Sequence, residues 1–531
     1  MRPRFSHHSG SNCPEVIIVG SGPAGVSAAW PLLEAGVTVM MIDAASEVPL
    51  PAAPRGDIGS FRRDPSRWKV QFGGNLAGVD PSGDQSPKLT TPLAREMLAG
   101  FATTIGLRVR DFLALGSLSR GGLSNIWGAV AAVYDDEDLA GSPVRHADLL
   151  PSYAAVMQRI GVSGSAGADG LPVEEGPTLT APAQRLLSAA SRSPSRNGFV
   201  LERTINAVVM SERSGREGCA RCGMCLWGCQ RNSIYASGLE LPQLCRFPHF
   251  RYFGGALVRS LLPQGKGHAL EISCKNGRML LHAPRILLAA GTIATTSLVL
   301  RRLGSIGSTR LLTNPVGAMA FMIPALFATP LPERSFALGQ LSYRFPLRDG
   351  GRAAGVIYGA DALPLVGIAG RLPISRPAAL RLTRALAPSL LLATCYLPGR
   401  FSANTLRVAD DDNQRQIVII EGVQTEDARD TLIAVGRRLA REMRRLGAFA
   451  LPGSLTIAQP GADAHYAGTL PMGGNGPTAC APTGELKACP GLYIADGAVL
   501  TDLPAKHCTL TIMANADRIA RYLAARIVSE R

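Results

Sequence analysis

Hydrophobic positions near the start of the chain follow a strand–helix–strand pattern. Val16–Val19 is a β-branched apolar run of strand length, and the apolar positions after it recur at helical spacing until Gly36. A second apolar run, Val37–Ile42, ends on Asp43. The pattern predicts a βαβ unit of about 30 residues with an acidic residue at the end of its second strand.

Three glycines lie in the turn between the first strand and the helix. Gly20, Gly22 and Gly25 have the spacing G-x-G-x-x-G. In a dinucleotide site the first glycine permits the tight turn, the second lets the backbone approach a pyrophosphate, and the third lets the helix pack closely on the strand. The helix N-terminus then binds phosphate, and Asp43 accepts hydrogen bonds from ribose hydroxyls. A structural βα turn in another α/β domain is the alternative.

The rest of the chain alternates between two kinds of pattern. Arg285–Gly291 and Leu492–Asp496 are buried-strand patterns, whereas short runs after Pro315 predict a mostly antiparallel sheet. The other predicted strands are Phe250–Leu262, Ala269–Cys274, Arg278–Ala283, Ser335–Phe345, Arg352–Tyr358, Leu390–Tyr396, Thr405–Ala409 and Gln416–Glu421. Helices are predicted at Asp148–Ile160, Thr295–Leu303, Thr425–Leu446 and Thr509–Ile527.

Composition indicates a large globular protein. The 531 residues carry a formal net charge of +15, but only six of them are lysine, so the positive charge is nearly all arginine and is spread along the chain. No basic run interleaved with aromatic residues is present, which disfavours a nucleic-acid-binding protein. A diffuse arginine excess indicates compositional bias, with at most a weak attraction for acidic substrates or redox partners.

Targeting signals and disulfides are not expected. The first residues, MRPRFSHHSGSNCPE, lack the apolar segment of a secretory signal. No uncharged apolar stretch reaches the length of a transmembrane helix, so we expect a cytoplasmic protein. The eleven cysteines do not indicate a disulfide framework in a chain of this length.

Four of the cysteines form a motif of their own. Cys219, Cys222, Cys225 and Cys229 have the spacing C-x2-C-x2-C-x3-C of bacterial ferredoxins, although Gln230 replaces the proline that usually follows. An iron–sulfur cluster is the first interpretation. Tetrahedral zinc on four thiolates is the second, and free or disulfide-linked structural cysteines are the third.

The C-terminal part resembles the closing pattern of the glucose–methanol–choline (GMC) flavin oxidoreductases. The similar segments are H-Y-A-G-T, which starts at His465, and PGLYIADGAVLTDLPAKHCTLTIMANADRIA, residues 490–520. Gly121–Trp127 (GGLSNIW) is similar to the second glycine motif of that family. RILLAAGTIATTSLVL, residues 285–300, is similar to an internal strand and turn of its flavin domain.

The resemblance implies an α/β fold in which an FAD-binding Rossmann-like domain is interleaved with a substrate domain built on an antiparallel sheet (α+β). The implied segments are 1–150, 251–315 and 456–531 for FAD, 151–217 and 316–455 for the substrate, and a cysteine-rich insertion at 218–250. The implied FAD-binding residues are Gly20, Gly22, Gly25, Asp43, Gly121, Gly122, Ser124, Asn125, Trp127, Val258, Gly291, Asp496, Gly497 and Thr509.

The resemblance also assigns the chemistry. His465 falls where the family places its catalytic base, and His507 falls where the partner of that base lies. Oxidation of an alcohol needs such a pair, because hydride leaves the carbon while the hydroxyl proton leaves for a base of near-neutral pKa. In branches with covalent FAD, a histidine of the second glycine motif bonds the flavin. Ile126 precedes Trp127 here, so we predict non-covalent FAD.

The implied function is an FAD-dependent oxidoreductase that acts on the CH–OH group of a sugar, polyol or other alcohol. Electrons pass to an external acceptor, such as a redox protein, through an iron–sulfur cluster if the four cysteines bind one. Some sugar dehydrogenases of the family carry a three-iron cluster in the corresponding insertion. An oxidase that uses O2 and releases H2O2 is the nearest alternative, and a non-catalytic flavoprotein scaffold is the alternative of another class.

Overall fold

A computed structural model describes residues 13–45, 53–73, 86, 88–165, 169–193, 197–265, 267–304, 307–363, 365–370 and 372–531. Residues 1–12, which form most of the segment searched for a secretory signal, lie outside this range. No helix among the described residues combines the length and apolar character needed to cross a membrane.

Strands and helices alternate along the chain. The strands are β1 (Val16–Val19), β2 (Val39–Ile42), β3 (Leu107–Arg110), β4 (Ser163–Gly164), β5 (Glu174–Glu175), β6 (Val200–Arg203), β7 (Phe250–Phe253), β8 (Leu257–Gln264), β9 (Gly267–Cys274), β10 (Gly277–Ala283), β11 (Arg285–Leu288), β12 (Ser308–Arg310), β13 (Val316–Met322), β14 (Leu341–Pro346), β15 (Arg352–Gly359), β16 (Leu390–Tyr396), β17 (Thr405–Asp410), β18 (Gln416–Glu421), β19 (Phe449–Ala450), β20 (Thr456–Ile457) and β21 (Leu492–Ile494). The α-helices are α1 (Pro23–Glu34), α2 (Ile58–Arg63), α3 (Trp68–Phe72), α4 (Pro92–Leu98), α5 (Phe101–Ile105), α6 (His146–Ile160), α7 (Ala181–Arg192), α8 (Leu241–Leu244), α9 (Thr292–Leu303), α10 (Leu365–Ala369), α11 (Arg376–Leu386), α12 (Glu426–Arg445) and α13 (Thr509–Glu530).

The first layer is a five-stranded parallel sheet in the order β21-β11-β1-β2-β7. Its central strand β1 is apolar at every position because both of its faces are buried. Helices α1 and α13 pack against each other beside this sheet. The predicted α/β fold is confirmed, and the carboxyl ends of the strands meet at one edge, where ligands of such sheets bind.

The second layer is an antiparallel sheet in the order β19-β13-β16-β15-β14-β6, with β20 also paired to β13. Alternate residues of β13 and β16 point to opposite faces. On one face Phe321, Leu391 and Ala393 form a core with Leu432 and Leu439 of α12. The other face is turned towards the parallel sheet and lines a cavity. The mostly antiparallel sheet expected after Pro315 is therefore confirmed.

Three smaller sheets are also present. Strands β4 and β5 pair in parallel, and β8, β9 and β10 form an antiparallel sheet. The third sheet has the order β12-β17-β18-β3. In this sheet, β3 from the early part of the chain pairs in parallel with β18. The six predicted domain segments remain a prediction.

Two predicted strands differ from the observed ones. Phe250–Leu262 is not one strand, because Gly255 has a φ of +67° and separates β7 from β8. The predicted strand Ser335–Phe345 begins only at Leu341. Just before it, the side-chain amide of Gln340 donates to the carbonyls of Phe336 (2.8 Å) and Leu338 (3.0 Å), which holds this segment in a turn.

Candidate active site

One large cavity lies between the carboxyl edge of the parallel sheet and the open face of the antiparallel sheet. Its volume is about 1300 Å³. The glycine turn before α1 lines one part of it, and strands β13 and β16 line another. Sequence segments from both ends of the chain therefore enclose the same space.

The glycine turn leaves room for a phosphate-containing cofactor. A Cβ atom on Gly20 would lie 2.5 Å from the carbonyl oxygen of Ala289, and one on Gly25 would lie 2.0 Å from that of Gly20. A Cβ on Gly22 would meet nothing within 4 Å, so this residue borders open space. Gly22 is also the N-cap of α1, and no side chain caps this helix end. The turn thus offers backbone donors and a positive dipole end to an anion.

Two buried aspartates hold the loops around this part of the cavity. Asp43 accepts hydrogen bonds from the backbone N–H groups of Ser21 (2.6 Å) and Ala45 (2.7 Å), and burial raises its pKa. Asp496 accepts from the N–H of Gly291 (2.9 Å), and burial raises its pKa to about 6. Both carboxylates line the cavity and fix its loops, while their contact with a ribose or ribityl chain remains a prediction.

The predicted cofactor residues fall into two groups. The cavity is lined by Gly20, Gly22, Asp43, Gly122, Ser124, Trp127, Val258, Gly291, Asp496, Gly497 and Thr509. The remaining three, Gly25, Gly121 and Asn125, are absent from that lining and act on the backbone instead. Gly25 packs on the turn, a Cβ on Gly121 would lie 2.8 Å from the backbone nitrogen of Gly238, and Asn125 donates to the carbonyl of Gly122.

The two predicted catalytic histidines meet at the wall of this cavity. The ring centroids of His465 and His507 are 4.9 Å apart, although the residues are 42 positions apart in the chain. The ring of Tyr396 lies 5.6 Å from His465 and 5.4 Å from His507. All three line the cavity, so the imidazoles face the space that a substrate can enter.

Asn314 fixes the orientation of His465. Nδ1 of His465 lies 2.9 Å from Oδ1 of Asn314. The NH2 group of Asn314 donates to the backbone carbonyls of Leu397 (2.8 Å), Leu503 (3.4 Å) and Pro504 (2.9 Å). Because the NH2 group of Asn314 faces these three carbonyls, its Oδ1 is the atom that faces His465. Nδ1 of His465 therefore carries a hydrogen and donates it to Oδ1. Nε2 is then the basic nitrogen.

Burial keeps both imidazoles neutral. It lowers the pKa of His465 well below its ordinary value, with a smaller contribution from repulsion by His507. Burial alone lowers the pKa of His507 to about 4. Asp463, whose Oδ2 lies 3.8 Å from Nδ1 of His465, does not reverse this effect, because burial raises its own pKa to about 8 and it is uncharged at neutral pH.

The lowered pKa of the histidine pair predicts the pH dependence of the reaction. A base acts only when it is unprotonated, so a pKa below the ordinary value of about 6.5 moves the acidic decline of kcat/KM to lower pH. We expect kcat/KM to be level at neutral pH and to fall only below about pH 6.5. The measurement is a pH profile with an alcohol substrate, and a decline centred above that value contradicts a buried neutral base.

Four cysteines form a separate group next to the main cavity. Cys219, Cys222, Cys225 and Cys229 line one small cavity and are not disulfide-bonded. Burial raises the pKa of the Cys219 thiol to about 11. Within the residues that the structure describes, however, no three His, Cys, Asp or Glu side chains are arranged to hold a metal ion. The structure brings the cysteines together without forming a metal site.

Sequence reasoning missed three residues of this site. Asn314 precedes Pro315 at the start of the antiparallel segment, and nothing in its local sequence indicates that it contacts a histidine about 150 residues later. Asp463 lies two residues before His465, a proximity that could have identified it. Tyr396 ends a predicted strand, and only the strand pairing shows that it lies beside the histidines.

A dinucleotide-type turn and an imidazole pair line one cavity, so a cofactor and a substrate proton acceptor can lie in the same space. Residues 14–60 match the model of an FAD binding domain, and residues 400–516 match the model named GMC oxidoreductase. The C-terminal part of the chain is therefore similar to the GMC oxidoreductases, and its N-terminal part to FAD binding domains.

Individual relatives match over shorter segments. A C-glycoside 3-oxidase from Arthrobacter globiformis is 36% identical over 97 residues, which are 17% of this chain and 19% of that protein. A C-glycoside 3-oxidase from Microbacterium trichothecenolyticum is 39% identical over 72 residues, which are 13% of this chain and 14% of that protein. The matched segments thus span less than a fifth of each relative.

The fold as a whole is similar to a solved structure. The crystal structure of pyridoxine 4-oxidase from Mesorbium loti superposes with a TM-score of 0.60, at 18% sequence identity. The superposition covers 96% of this chain and 99% of that one. The likeness concerns the fold, and the chemistry depends on the residues described above.

Proposed function

We propose that the protein is an FAD-dependent oxidoreductase that oxidises the CH–OH group of an alcohol. The observation that carries this proposal is the pair of neutral imidazoles facing the same cavity as the glycine turn. Bound FAD supplies the hydride acceptor. Gly20, Gly22 and the N-terminus of α1 bind its pyrophosphate, and Asp43 binds its adenosine ribose.

His465 acts as the base. Its Nε2 atom takes the hydroxyl proton of the alcohol as hydride leaves the adjacent carbon. His507 donates a hydrogen bond to the same oxygen and thereby orients the substrate. Asn314 holds His465 in the tautomer whose Nε2 is free, which makes Asn314 a positioning residue.

The test is the anaerobic reduction of the flavin. Purified protein should contain FAD that is released on denaturation, since we propose non-covalent binding. Alcohols should bleach the flavin absorbance, and oxygen should restore it if the protein is an oxidase. Absence of flavin, or flavin that no alcohol reduces, overturns the proposal.

The electron acceptor divides two versions of this function. The similar proteins are named oxidases, which favours an oxidase that uses O2 and releases H2O2. The four cysteines favour a dehydrogenase, in which electrons leave through an iron–sulfur cluster to an external acceptor. Their segment adjoins the main cavity, because Leu226 lines it. Since their side chains are not arranged around a metal, no step of the mechanism above depends on a cluster.

Metal analysis of anaerobically purified protein decides between these versions. Stoichiometric iron and acid-labile sulfide support the cluster, and zinc alone assigns the cysteines a structural role. If iron, acid-labile sulfide and zinc are all absent, the electrons have no cluster to leave through, and the oxidase is favoured.

A cytoplasmic location remains a prediction of the sequence.

Replacement of Asn314 tests its positioning role. We expect Asn314→Ala to lower kcat by up to about 100-fold, because His465 loses the acceptor that fixes its tautomer and ring position. Asn314→Asp restores an acceptor and should move the acidic decline of kcat/KM to higher pH, since a carboxylate stabilises the imidazolium. A purely structural residue would instead lower stability in both variants and leave the pH profile unchanged.

A further inference from the structure

We propose that the substrate is an apolar alcohol whose hydrocarbon body lies along the antiparallel sheet while its hydroxyl reaches His465. This inference rests on the proposed function and specifies its substrate class. It excludes sugars and polyols as preferred substrates. The support comes from the part of the cavity beyond the histidine pair.

The floor of this part is the open face of β13 and β16. Because the two strands pair antiparallel, their cavity-facing residues lie opposite each other in rows: Val316 with Tyr396, Ala318 with Thr394, and Ala320 with Leu392. The first row lies at the histidines, since Tyr396 contacts both rings. Each later row is about 7 Å further along the strands, so Ala320 is about 13 Å from the first row.

The remaining wall of this part of the cavity is also apolar. Loops and short segments outside the two strands contribute Ala337, Leu338, Leu363, Leu372, Leu451 and Pro452. A hydrocarbon gains free energy from every methylene that it buries against such a wall. A chain of several carbons can therefore contribute to binding at each row of the floor.

The hydroxyl groups on the floor are already hydrogen-bonded to the protein backbone. Oγ1 of Thr394 accepts from the N–H of Val356 (3.0 Å) and donates to its carbonyl (3.3 Å). Oγ of Ser454 accepts from the N–H of Ala320 (3.2 Å) and donates to the carbonyl of Leu451 (2.7 Å). Neither side chain is available to a substrate hydroxyl without breaking these bonds.

The amide and charged side chains that recognise polyols are missing from this part of the cavity. Among the described lining residues there is no Asn, Gln or Glu, and the lysine and arginines, Lys88, Arg259 and Arg301, lie on the cofactor side. Lys88 there donates to the carbonyl of Trp127. Tyr358 adds one phenol at the row of Leu392. Thr456 adds a hydroxyl opposite Ala318, 3.5 Å from its carbonyl, and the carboxyl of Asp463 is fully buried behind His465. These few groups cannot satisfy the several hydroxyls of a buried sugar, and each unsatisfied one opposes binding.

Two homologous series of alcohols test this inference on the FAD-loaded enzyme. Primary alkanols from ethanol to dodecanol and cyclic secondary alcohols from cyclohexanol to cyclododecanol are compared with glucose and sorbitol, by the rate of anaerobic flavin reduction. We expect kcat/KM to rise roughly two- to fourfold with each added methylene until the cavity is filled. A flat series, or faster reduction by glucose or sorbitol, overturns the apolar substrate but leaves the proposed oxidoreductase intact. Failure of every alcohol and sugar to reduce the flavin instead refutes the proposed function.

A substitution in the third row locates the hydrocarbon. Ala320→Phe should lower kcat/KM for decanol and dodecanol at least tenfold more than for ethanol and butanol, because the new ring fills the floor beyond the reach of short chains. Met319→Phe is the matched control, since Met319 packs on the opposite face of the same strand, against the core with α12. If Ala320→Phe does not fold, Ala320→Val should lower kcat/KM for the same long alcohols by a smaller factor. Equal effects on short and long alcohols contradict the proposed binding path.

Discussion

Replacement of His465 by alanine should lower the rate of flavin reduction by an alcohol by about 10²- to 10⁴-fold, which is the usual contribution of a general base. The FAD content should not change, because the hydrogen bond that the structure gives the imidazole of His465 goes to Asn314. Stopped-flow absorbance under anaerobic conditions measures the rate. The flavin spectrum of the same sample measures the content.

The matched control is His249→Ala. The ring of His249 is also held by one hydrogen bond, since its Nε2 lies 2.9 Å from the backbone carbonyl of Leu33, but it lies outside the cavity lining. We expect its loss to leave the rate nearly unchanged. If His465→Ala also retained the full rate with every alcohol, the catalytic proposal would fail and the non-catalytic flavoprotein scaffold would be favoured.

The second large effect concerns cofactor binding. Gly22→Val should abolish FAD binding without destabilising the protein. A Cβ atom at position 22 would meet nothing within 4 Å. The backbone of Gly22, with φ −63° and ψ 176°, has an ordinary extended conformation that any residue adopts. The valine would occupy the space that a pyrophosphate needs at the N-terminus of α1. We expect the protein to purify without flavin and with an unchanged thermal unfolding midpoint in the absence of FAD.

Two other glycines separate this effect from misfolding. Gly141→Val is the neutral control, because a Cβ at Gly141 also meets nothing within 4 Å and the residue is outside the cavity lining. Gly25→Val should instead destabilise the fold, since its Cβ would lie 2.0 Å from the carbonyl oxygen of Gly20. Retention of flavin by Gly22→Val would show that the turn does not bind the cofactor.

The local sequence was sufficient to predict the elements that are buried on every face. Val16–Val19 is apolar at every position because β1 is covered on both faces, and such a run has only one stable place, the centre of a parallel sheet. The spacing of the glycines after this strand is set by contacts within the turn itself. The turn could therefore also be recognised from the sequence without knowledge of the tertiary structure. Strand ends were less predictable. Val37 was expected in the second strand, but its backbone N–H donates to the carbonyl of Leu32 in α1 (3.0 Å), and the strand begins only at Val39.

The sequence by itself determined the α/β class. It also predicted a nucleotide-binding turn and, through the family resemblance, a catalytic pair of histidines. Only the tertiary structure decided what surrounds them. Asn314 and Tyr396 reach His465 through the pairing and docking of the antiparallel sheet, and such contacts between distant segments leave no local pattern. The spacing of the four cysteines indicated that they lie close together, and they do line one small cavity. Whether they can hold a metal depends on the directions of their side chains, which the spacing does not specify. The apolar floor likewise depends on which face of β13 and β16 is left uncovered, and the packing of α12 decides that.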